Sequence, residues 1–449
     1  MFEKIFKLMD DNKELILAAE KDIKSMPELA FREWKTHTYM KERFEKLGYS
    51  LVEPGDIPGF YTDVETGRPG PKIAVFGELD ALPCPNHPFA DKTTGAAHAC
   101  GHNCQCAALL GLAAALKNEE ALEGLCGSIR LIAVPAEEGV DAAMREKLKE
   151  NNTVRYFAGK PEFLYRGYLD GVDIAMMIHV SSKTKGMSCP DGTNGNMRKK
   201  TTFIGKAAHA GGDPHNGINA LYAATTALSA ANALRETFRE KDTVRMHPIL
   251  SNAGSAVNTI PHEVVCENMI RGADYRVIAD ISRKVNRAFA GAAASMGCRI
   301  VFDDIGGSAP RYNDRNLKDI FYKVAGEIFP VEDLNFQAEW GKACSDMGDI
   351  SNVIPSIHPY IGGASGVAHS ENFLITDPYV ACVNAAKVLG GVLTVLLSDD
   401  GKEAKKVIAE SKVPFKSKEA FFEVKDSLNF QGEGVIYNED GTATLKYCR

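Results

Sequence analysis

The chain has 449 residues, of which 45% are hydrophobic and 25% are charged, and its formal net charge is −7. This length is enough for a large core and for more than one domain. The negative charge argues against nucleic acid as the main partner, because binding phosphates requires a basic surface. The uninterrupted apolar stretches fall short of the roughly 20 residues that a membrane-spanning helix needs, so we expect no membrane partner.

The N-terminal stretch, residues 1–24, is amphipathic and carries charges throughout. This pattern predicts a first helix and differs from a secretory signal, which has an apolar central segment. The eleven cysteines of the chain show no regular spacing. A chain of this length does not need disulfides for stability, so we expect free thiols and a cytoplasmic protein.

Three buried strands are predicted in the first part of the chain, at 71–82, 127–139 and 173–180. A helical pattern at 106–123 separates the first two, and alternation of strands and helices is typical of an α/β domain with a mostly parallel sheet. Ligands bind such sheets at the carboxyl ends of the strands. Polar residues of metal-ligand type stand at these ends: Glu78 and Asp80, then Glu137 and Glu138, then His179.

The pattern changes near residue 195. Strand-like and helical segments follow in the order β-α-β-β-α-β, which is the order of a ferredoxin-like module. The α/β pattern resumes after this module, so we predict that 195–305 is a domain inserted into a catalytic domain made of 1–194 and 306–400. The remaining residues, 401–449, are charged and less periodic, and we assign them to a C-terminal extension.

The segment HACGHN, residues 98–103, places Cys100 and His102 just before an apolar helix. The pattern allows a metal site, a cysteine nucleophile or a chance cluster in a cysteine-containing chain. Each residue alone is more typical of a structural role, since buried cysteine commonly behaves as a small apolar residue. Together with the acidic pair, His179 and a later His369, all at the ends of predicted elements, the cluster favours a metal site.

Six motifs occur along the chain in the order GELDALP, HACGHN, VPAEEG, IHV, GKAAHAGG and GVAHSENF. In this order they resemble the amidohydrolase branch of the aminoacylase/carboxypeptidase metallopeptidases, over roughly residues 10–395. That branch includes indole-acetyl-amino-acid hydrolases, hippurate hydrolases and aminobenzoyl-glutamate hydrolase. The resemblance implies a mostly parallel-sheet catalytic domain with helices on both faces and an inserted ferredoxin-like lid and dimerisation domain.

The resemblance also implies an activity. We expect two divalent ions, zinc or manganese, and a metal-activated water that cleaves an amide bond next to a free carboxylate. The expected substrates are an N-acyl amino acid, a dipeptide or an aminobenzoyl-glutamate-like conjugate, and the expected assembly is a homodimer. Two ions held side by side can clamp the carbonyl group that is attacked.

Site roles are transferred by motif. The resemblance makes five residues metal ligands, namely Cys100, His102, Glu138, His179 and His369. It makes Glu137 the general base and Asp80 the residue that orients a ligand. His209, in the inserted domain, is expected to act on the substrate without binding metal.

Substrate contacts are expected from Asn258, Arg271 and Gly363. An arginine offers two parallel donors to a carboxylate. The chain departs from many relatives in one motif, where CGHNCQC stands for the more common CGHDGHT. This departure puts the residues that support the metal ligands, and the metal preference, in question.

Two other classes of function compete with this prediction. A non-catalytic relative could bind metal or amino-acid conjugates, but the complete ligand set and Glu137 argue against it. A cysteine hydrolase could use Cys100 and His102 as nucleophile and base. It would leave the acidic pair, His179 and His369 without a role.

Overall fold

The protein is described by a computed structural model over residues 2–446, and its fold is mixed α/β. It divides into two compact units. The first comprises residues 1–192, 312–340 and 349–415, and the second comprises 193–311, 341–348 and 416–449. The segment 401–449, predicted as one extension, is therefore shared between the two units, and its last three residues lie outside the described part.

The α-helices are, in chain order, α1 (Glu3–Asp11), α2 (Lys13–Lys24), α3 (Trp34–Lys46), α4 (His102–Leu116), α5 (Glu119–Leu122), α6 (Ala142–Glu150), α7 (Gly159–Tyr165), α8 (Ala220–Ala233), α9 (Tyr275–Ser295), α10 (Arg315–Ala325), α11 (Met347–Ser351), α12 (Ala385–Leu397), α13 (Lys402–Glu410) and α14 (Lys418–Ser427).

The strands are β1 (Phe60–Glu65), β2 (Lys72–Glu78), β3 (Leu82–Pro83), β4 (Ala96–Ala97), β5 (Ser128–Val134), β6 (Ile174–Met176), β7 (His179–Val180), β8 (Met187–Ser188), β9 (Gly192–Thr193), β10 (Gly195–Ile204), β11 (Arg245–Asn252), β12 (Glu263–Gly272), β13 (Arg299–Gly306), β14 (Arg311–Tyr312), β15 (Leu334–Asn335), β16 (Ser356–Ile357), β17 (Tyr360–Ile361), β18 (Ala364–Ser365), β19 (Leu374–Ile375), β20 (Phe430–Glu433), β21 (Val435–Tyr437) and β22 (Ala443–Leu445).

The main sheet of the first unit has the strand order β1-β5-β2-β6-β16. All neighbours pair in parallel except β1, which runs antiparallel along one edge. Every residue of β5 is buried, as expected for a central parallel strand that is covered on both faces. The carboxyl ends of β2, β5 and β6 consequently meet at one edge of the sheet.

Helix α4 packs against β2 and against α2 and α12. Nearly all of its residues are buried, which explains why its sequence is apolar around the whole circumference. The segment Tyr379–Leu397 is by length and composition apolar enough to cross a membrane, yet most of it is buried inside the protein. Asn384 and Lys387 interrupt its apolar run, so the sequence analysis found no uninterrupted apolar stretch of this length.

The N-terminal stretch forms two helices where a single one was predicted. Asn12 separates them with φ −97° and ψ 8°, and its side-chain amide donates to the Leu8 carbonyl oxygen at 2.8 Å. An asparagine side chain that bonds to nearby backbone competes with helix continuation. The amphipathic pattern is thus correct, and only its continuity was wrong.

The second unit contains an antiparallel sheet in the order β11-β12-β10-β13-β20. The elements β10, α8, β11, β12, α9 and β13 follow the β-α-β-β-α-β layout. The extra strand β20 comes from the C-terminal segment, and it pairs with β13 from Val301 opposite Glu433 to Asp304 opposite Phe430.

Candidate metal centre

The candidate centre begins at the carboxyl ends of three parallel strands. Glu78 is the last residue of β2 and lies opposite Val134, the last residue of β5. Glu137 and Glu138 follow β5, and His179 follows β6. The sheet therefore brings together polar residues that lie about 100 positions apart in the sequence.

His102 is the first residue of α4 and is completely buried. The preceding Gly101 has φ +92°, and a Cβ there would lie 2.2 Å from Val180 Cγ1, so only glycine fits this turn. The Nδ1 atom of His102 lies 3.0 Å from both the carbonyl oxygen and Oδ1 of Asp80. Since both are acceptors, Nδ1 carries a proton, and Nε2 is left free to bind a metal. The other oxygen of Asp80 accepts from the Glu138 amide at 2.8 Å.

Cys100 and His179, both predicted ligands, also contact one another. The Cys100 Sγ atom lies 3.3 Å from His179 Nε2, while His179 Nδ1 donates to the Val180 carbonyl oxygen at 2.7 Å. The free nitrogen thus points at the sulfur. Burial raises the pKa of the Cys100 thiol, and burial together with the nearby His102 lowers the pKa of His179 to about 4. A neutral imidazole binds metal, whereas the thiol needs a cation to become a thiolate.

Glu138 and His369 complete the set, with Glu138 Oε1 3.3 Å from His369 Nε2. His369 has φ 66°, which is uncommon for a residue other than glycine, and its amide donates to the Ala99 carbonyl oxygen at 2.8 Å. Its side chain is 53% exposed and that of Glu138 is 11% exposed. Solvent therefore reaches the cluster from the side of His369.

The five predicted metal ligands fall into two groups that share Cys100. Within each group the atoms lie within 4.8 Å of one another, and the groups are Cys100, His102 and His179, and Cys100, Glu138 and His369. The Nε2 atom of His102 and Oε1 of Glu138 are buried and make no hydrogen bond of good geometry, although Glu78 Oε2 and His369 Nε2 lie 3.0 Å and 3.3 Å from them. Buried polar atoms without a well-formed hydrogen bond are unfavourable, and a bound cation would satisfy them. Nitrogen, sulfur and carboxylate donors of this kind suit divalent ions.

Glu137 is half-buried beside this cluster. The residue before it, Ala136, has φ 54° and donates its amide to Glu33 Oε1 at 2.8 Å. Glu33 is completely buried, and this burial, with the nearby Asp80 carboxylate, raises its pKa well above the usual value. A buried glutamic acid from the start of α3 thus holds the turn from which Glu137 projects. The sequence analysis missed Glu33.

Glu78 was noted as a strand-end residue but was given no role in the site. It is completely buried, its Oε2 lies 3.0 Å from His102 Nε2, and it also accepts from Gln105 Nε2 at 2.8 Å. Lys160, in α7, forms an ion pair with its Oε1. No local sequence pattern connects Lys160 to a site more than 50 residues away.

Gly363 also lies in the first unit. It has φ +103°, and a Cβ there would lie 2.6 Å from the Asp377 carbonyl oxygen. Its own carbonyl oxygen accepts from the amides of Thr376 at 2.8 Å and Asp377 at 3.0 Å. Local backbone geometry therefore explains why a glycine occupies position 363.

The other predicted substrate residues belong to the second unit. His209 is exposed, and its Nδ1 accepts from the amides of Gly211 at 3.2 Å and Gly212 at 2.8 Å. In the neutral ring this leaves the proton on Nε2, which can donate. The carbonyl oxygen of Asn258 accepts from the Ala210 amide at 2.9 Å, so the loop segments that carry Asn258 and His209 lie side by side. Arg271 Nη1 donates to the Lys342 carbonyl oxygen at 2.9 Å.

Comparison with known proteins places this geometry in a family. Residues 74–394 match the model of Peptidase family M20/M25/M40. The chain is 28% identical over 388 residues to the Xaa-Arg dipeptidase of Mus musculus, covering 81% of this chain and 80% of that protein. It is 30% identical over 256 residues to one of the subunits of p-aminobenzoyl-glutamate hydrolase from Escherichia coli strain K12, covering 54% of each chain.

Solved structures show the same fold. The Bacillus subtilis YXEP protein, described as a dinuclear metal binding peptidase of the M20 family, has a TM-score of 0.67 and 21% identity, with 85% of this chain and 97% of that chain covered. The aminobenzoyl-glutamate utilization protein of Klebsiella pneumoniae has a TM-score of 0.60 and 20% identity, with 86% and 96% covered. The chain therefore belongs to Peptidase family M20/M25/M40 and is a metal-dependent hydrolase of amide bonds.

Proposed function

We propose that Cys100, His102, Glu138, His179 and His369 hold two divalent ions, and that Glu137 is the general base of the hydrolysis. The observation that carries this proposal is the pair of ligand groups that share Cys100. A sulfur ligand favours zinc over manganese. We therefore expect the ion that Cys100 and His179 bind to be zinc.

Divalent ions, when bound, polarise the amide carbonyl and lower the pKa of water. The protein supplies the remaining functions. Asp80 holds the His102 ring through Nδ1 and the Glu138 backbone through its other oxygen. Glu137 accepts a proton from the attacking water while the oxygen of that water bonds to the carbonyl carbon. Glu137 then returns the proton to the leaving nitrogen as the C–N bond breaks. The products are a carboxylate and a free amine.

The proposed substrates are an N-acyl amino acid, a dipeptide or an aminobenzoyl-glutamate-like conjugate. The names of the relatives support this class, since Xaa-Arg dipeptides and p-aminobenzoyl-glutamate both carry a free carboxylate beside the amide bond. We assign the binding of that carboxylate to Asn258 and Arg271, with Gly363 as a backbone contact. His209, with its proton on Nε2, is a donor to the carbonyl oxygen as negative charge develops there.

We further propose that the second unit, which carries the residues predicted as 195–305, is a lid and forms the contact of a homodimer. Strand β11 lies at the edge of its sheet, and Ile249 on this strand is 62% exposed. An exposed edge strand is a surface that can pair with a second copy. Light scattering at micromolar concentration should give twice the mass of the chain, and a monomer would refute the assignment.

The ten cysteines within the described residues are free thiols, in keeping with a reducing compartment such as the cytoplasm. The decisive test of the activity is a hydrolysis screen with metal-replete protein on acyl amino acids, dipeptides and p-aminobenzoyl-glutamate. We expect two bound ions per chain, loss of activity with a chelator and recovery with added zinc or manganese. Activity that survives chelation but is abolished by thiol alkylation would instead favour a Cys100 nucleophile.

A further inference from the structure

Glu78 has contacts on both of its carboxylate oxygens, and they differ in kind. Oε1 is paired with the Lys160 ammonium, and both side chains are completely buried. Oε2 accepts from Gln105 Nε2 at 2.8 Å and lies 3.0 Å from His102 Nε2. The Glu78 amide also donates to Gln105 Oε1 at 3.2 Å, so Gln105 holds both the backbone and the side chain of this residue.

The contact between Glu78 and His102 is the one that points to a bound metal. His102 Nδ1 donates to Asp80, so in the neutral ring Nε2 is an acceptor. The nitrogen that is left for a metal therefore lies 3.0 Å from a carboxylate oxygen, in a place with no solvent exposure. Close pairs of potential ligand atoms also occur at Cys100 with His179 and at Glu138 with His369, where a metal is proposed. A divalent cation beside Glu78 and His102 could be coordinated by both of these atoms.

We propose that Glu78 is a further metal ligand, acting through Oε2 on the ion bound by His102, with Lys160 and Gln105 as its positioning residues. This inference rests on the proposed metal centre. Glu78, His102 and Glu137 offer ligand atoms within 4.8 Å of one another, so the ion at Glu78 lies beside the proposed base. Carboxylate ligands are commonly held by hydrogen bonds to their second oxygen, which is the role of Lys160 here.

The buried lysine also balances charge. Cys100, Glu138 and Glu78 would together place three negative charges on the two ions, and Lys160 offsets one of them. An ammonium group is costly to bury unless an anion accompanies it. The ion pair on Oε1 leaves Oε2 available, so pairing with Lys160 and binding of metal are compatible.

The test compares metal binding in wild type and in four variants. Glu78→Gln alone leaves the Lys160 ammonium without this carboxylate, so Lys160→Met and the double variant Glu78→Gln/Lys160→Met, which removes both charges, are prepared as well. Glu20→Gln is the matched control, because Glu20 is a buried carboxylate that accepts from Asn103, next to His102, at 2.9 Å, and it takes no part in the metal groups.

We expect wild type and Glu20→Gln to bind two equivalents of zinc. The two Glu78 variants should bind one ion more weakly by at least the roughly 10–100-fold that loss of a ligand's supporting residue costs, and the visible spectrum of their cobalt-substituted form should change. Lys160→Met alone should weaken the same ion, and the double variant should bind it no more weakly than Glu78→Gln, because both act through one carboxylate.

The outcomes separate this inference from the proposed function. If wild type binds no ion, the metal centre itself is wrong. If wild type binds two and the folded double variant binds both with unchanged affinity and cobalt spectrum, the centre stands and Glu78 is not a ligand. If the effects of Glu78→Gln and Lys160→Met are additive, Lys160 is not a positioning residue for Glu78.

Discussion

The proposed metal ligands and the proposed substrate contacts are held in this protein by different means. In the first unit, His102 is buried and its ring is fixed by Asp80 through Nδ1, which leaves Nε2 for the proposed metal. In the second unit, His209 is exposed and its ring is oriented by two amides of its own loop. Burial fixes most of the groups that are proposed to bind ions, where small displacements are costly, while the exposed loop allows the proposed donor His209 to adjust to a substrate.

This contrast predicts that substitutions of the proposed base and ligands in the first unit impair chemistry or metal binding, and that substitutions of the proposed contacts in the second unit impair interaction with the substrate. The largest effect on turnover is expected at Glu137. Glu137→Gln keeps the shape of the side chain but cannot accept a proton, so turnover should fall about 10²–10⁴-fold with both metals retained. Steady-state kinetics and metal analysis of the same preparation measure this. A nearly unchanged rate would show that Glu137 is not the base.

The next effect is expected at His209. His209→Ala removes a donor to the carbonyl oxygen and should lower kcat about 10²–10³-fold, with metal content and fold unchanged. His215→Ala is the matched control, because His215 lies in the same exposed region with its side chain 77% exposed. Loss of metal from the His209 variant would make it a ligand, and an unchanged kcat would make it a structural residue.

The strand ends of the first unit could be predicted from the sequence, and the residues behind them could not. Buried parallel strands appear as apolar runs, so the polar residues where β2 and β5 end are conspicuous. Glu33 and Lys160 reach the same place from α3 and α7, and only tertiary packing brings them there. Strand β20 was missed for a similar reason, since it pairs with β13 across more than 100 residues.

For the inserted module, the order of the elements could be predicted from the sequence, but the roles of its residues could not. Its β-α-β-β-α-β order could be predicted because each element has a local period. The roles of Asn258 and Arg271 could not be derived from periodicity and came from motif resemblance alone. The structure adds that Arg271 already donates to the Lys342 carbonyl oxygen, a contact that no sequence pattern indicates.

A smaller effect on activity follows for Arg271. Arg271→Ala should raise KM for a carboxylate-bearing substrate about tenfold with little change in kcat, the value of one hydrogen bond to a charged group. Arg245→Ala is the control, because Arg245 lies opposite Arg271 in the neighbouring strand β11. If both variants show the same KM, Arg271 serves only to hold the Lys342 segment.

The smallest effect on turnover is expected at Glu33, where the contrast predicts a change in stability instead. Glu33→Ala leaves the buried Ala136 amide without its acceptor, which should lower the free energy of unfolding by about 1–3 kcal/mol. Glu33→Gln keeps an oxygen in place and stays neutral. Because burial and Asp80 raise the pKa of Glu33 in the folded protein, wild type should lose stability relative to Glu33→Gln as the pH rises above the unfolded value of 4.5.

Glu53 is a matched control for which the dependence of stability on pH has the opposite sign. Its pKa is lowered by the hydrogen bond from Lys41, so its stabilising contribution is present above pH 4.5 and is lost as the pH falls. Near neutral pH, Glu53→Gln should therefore destabilise the protein slightly, by about 0.2–1 kcal/mol, while Glu33→Gln stabilises it. Denaturant unfolding of both variants at several pH values measures this. Equal signs would show that Glu33 is ionised in the folded protein, and the Ala136 turn would then donate to a carboxylate and not to a buried acid.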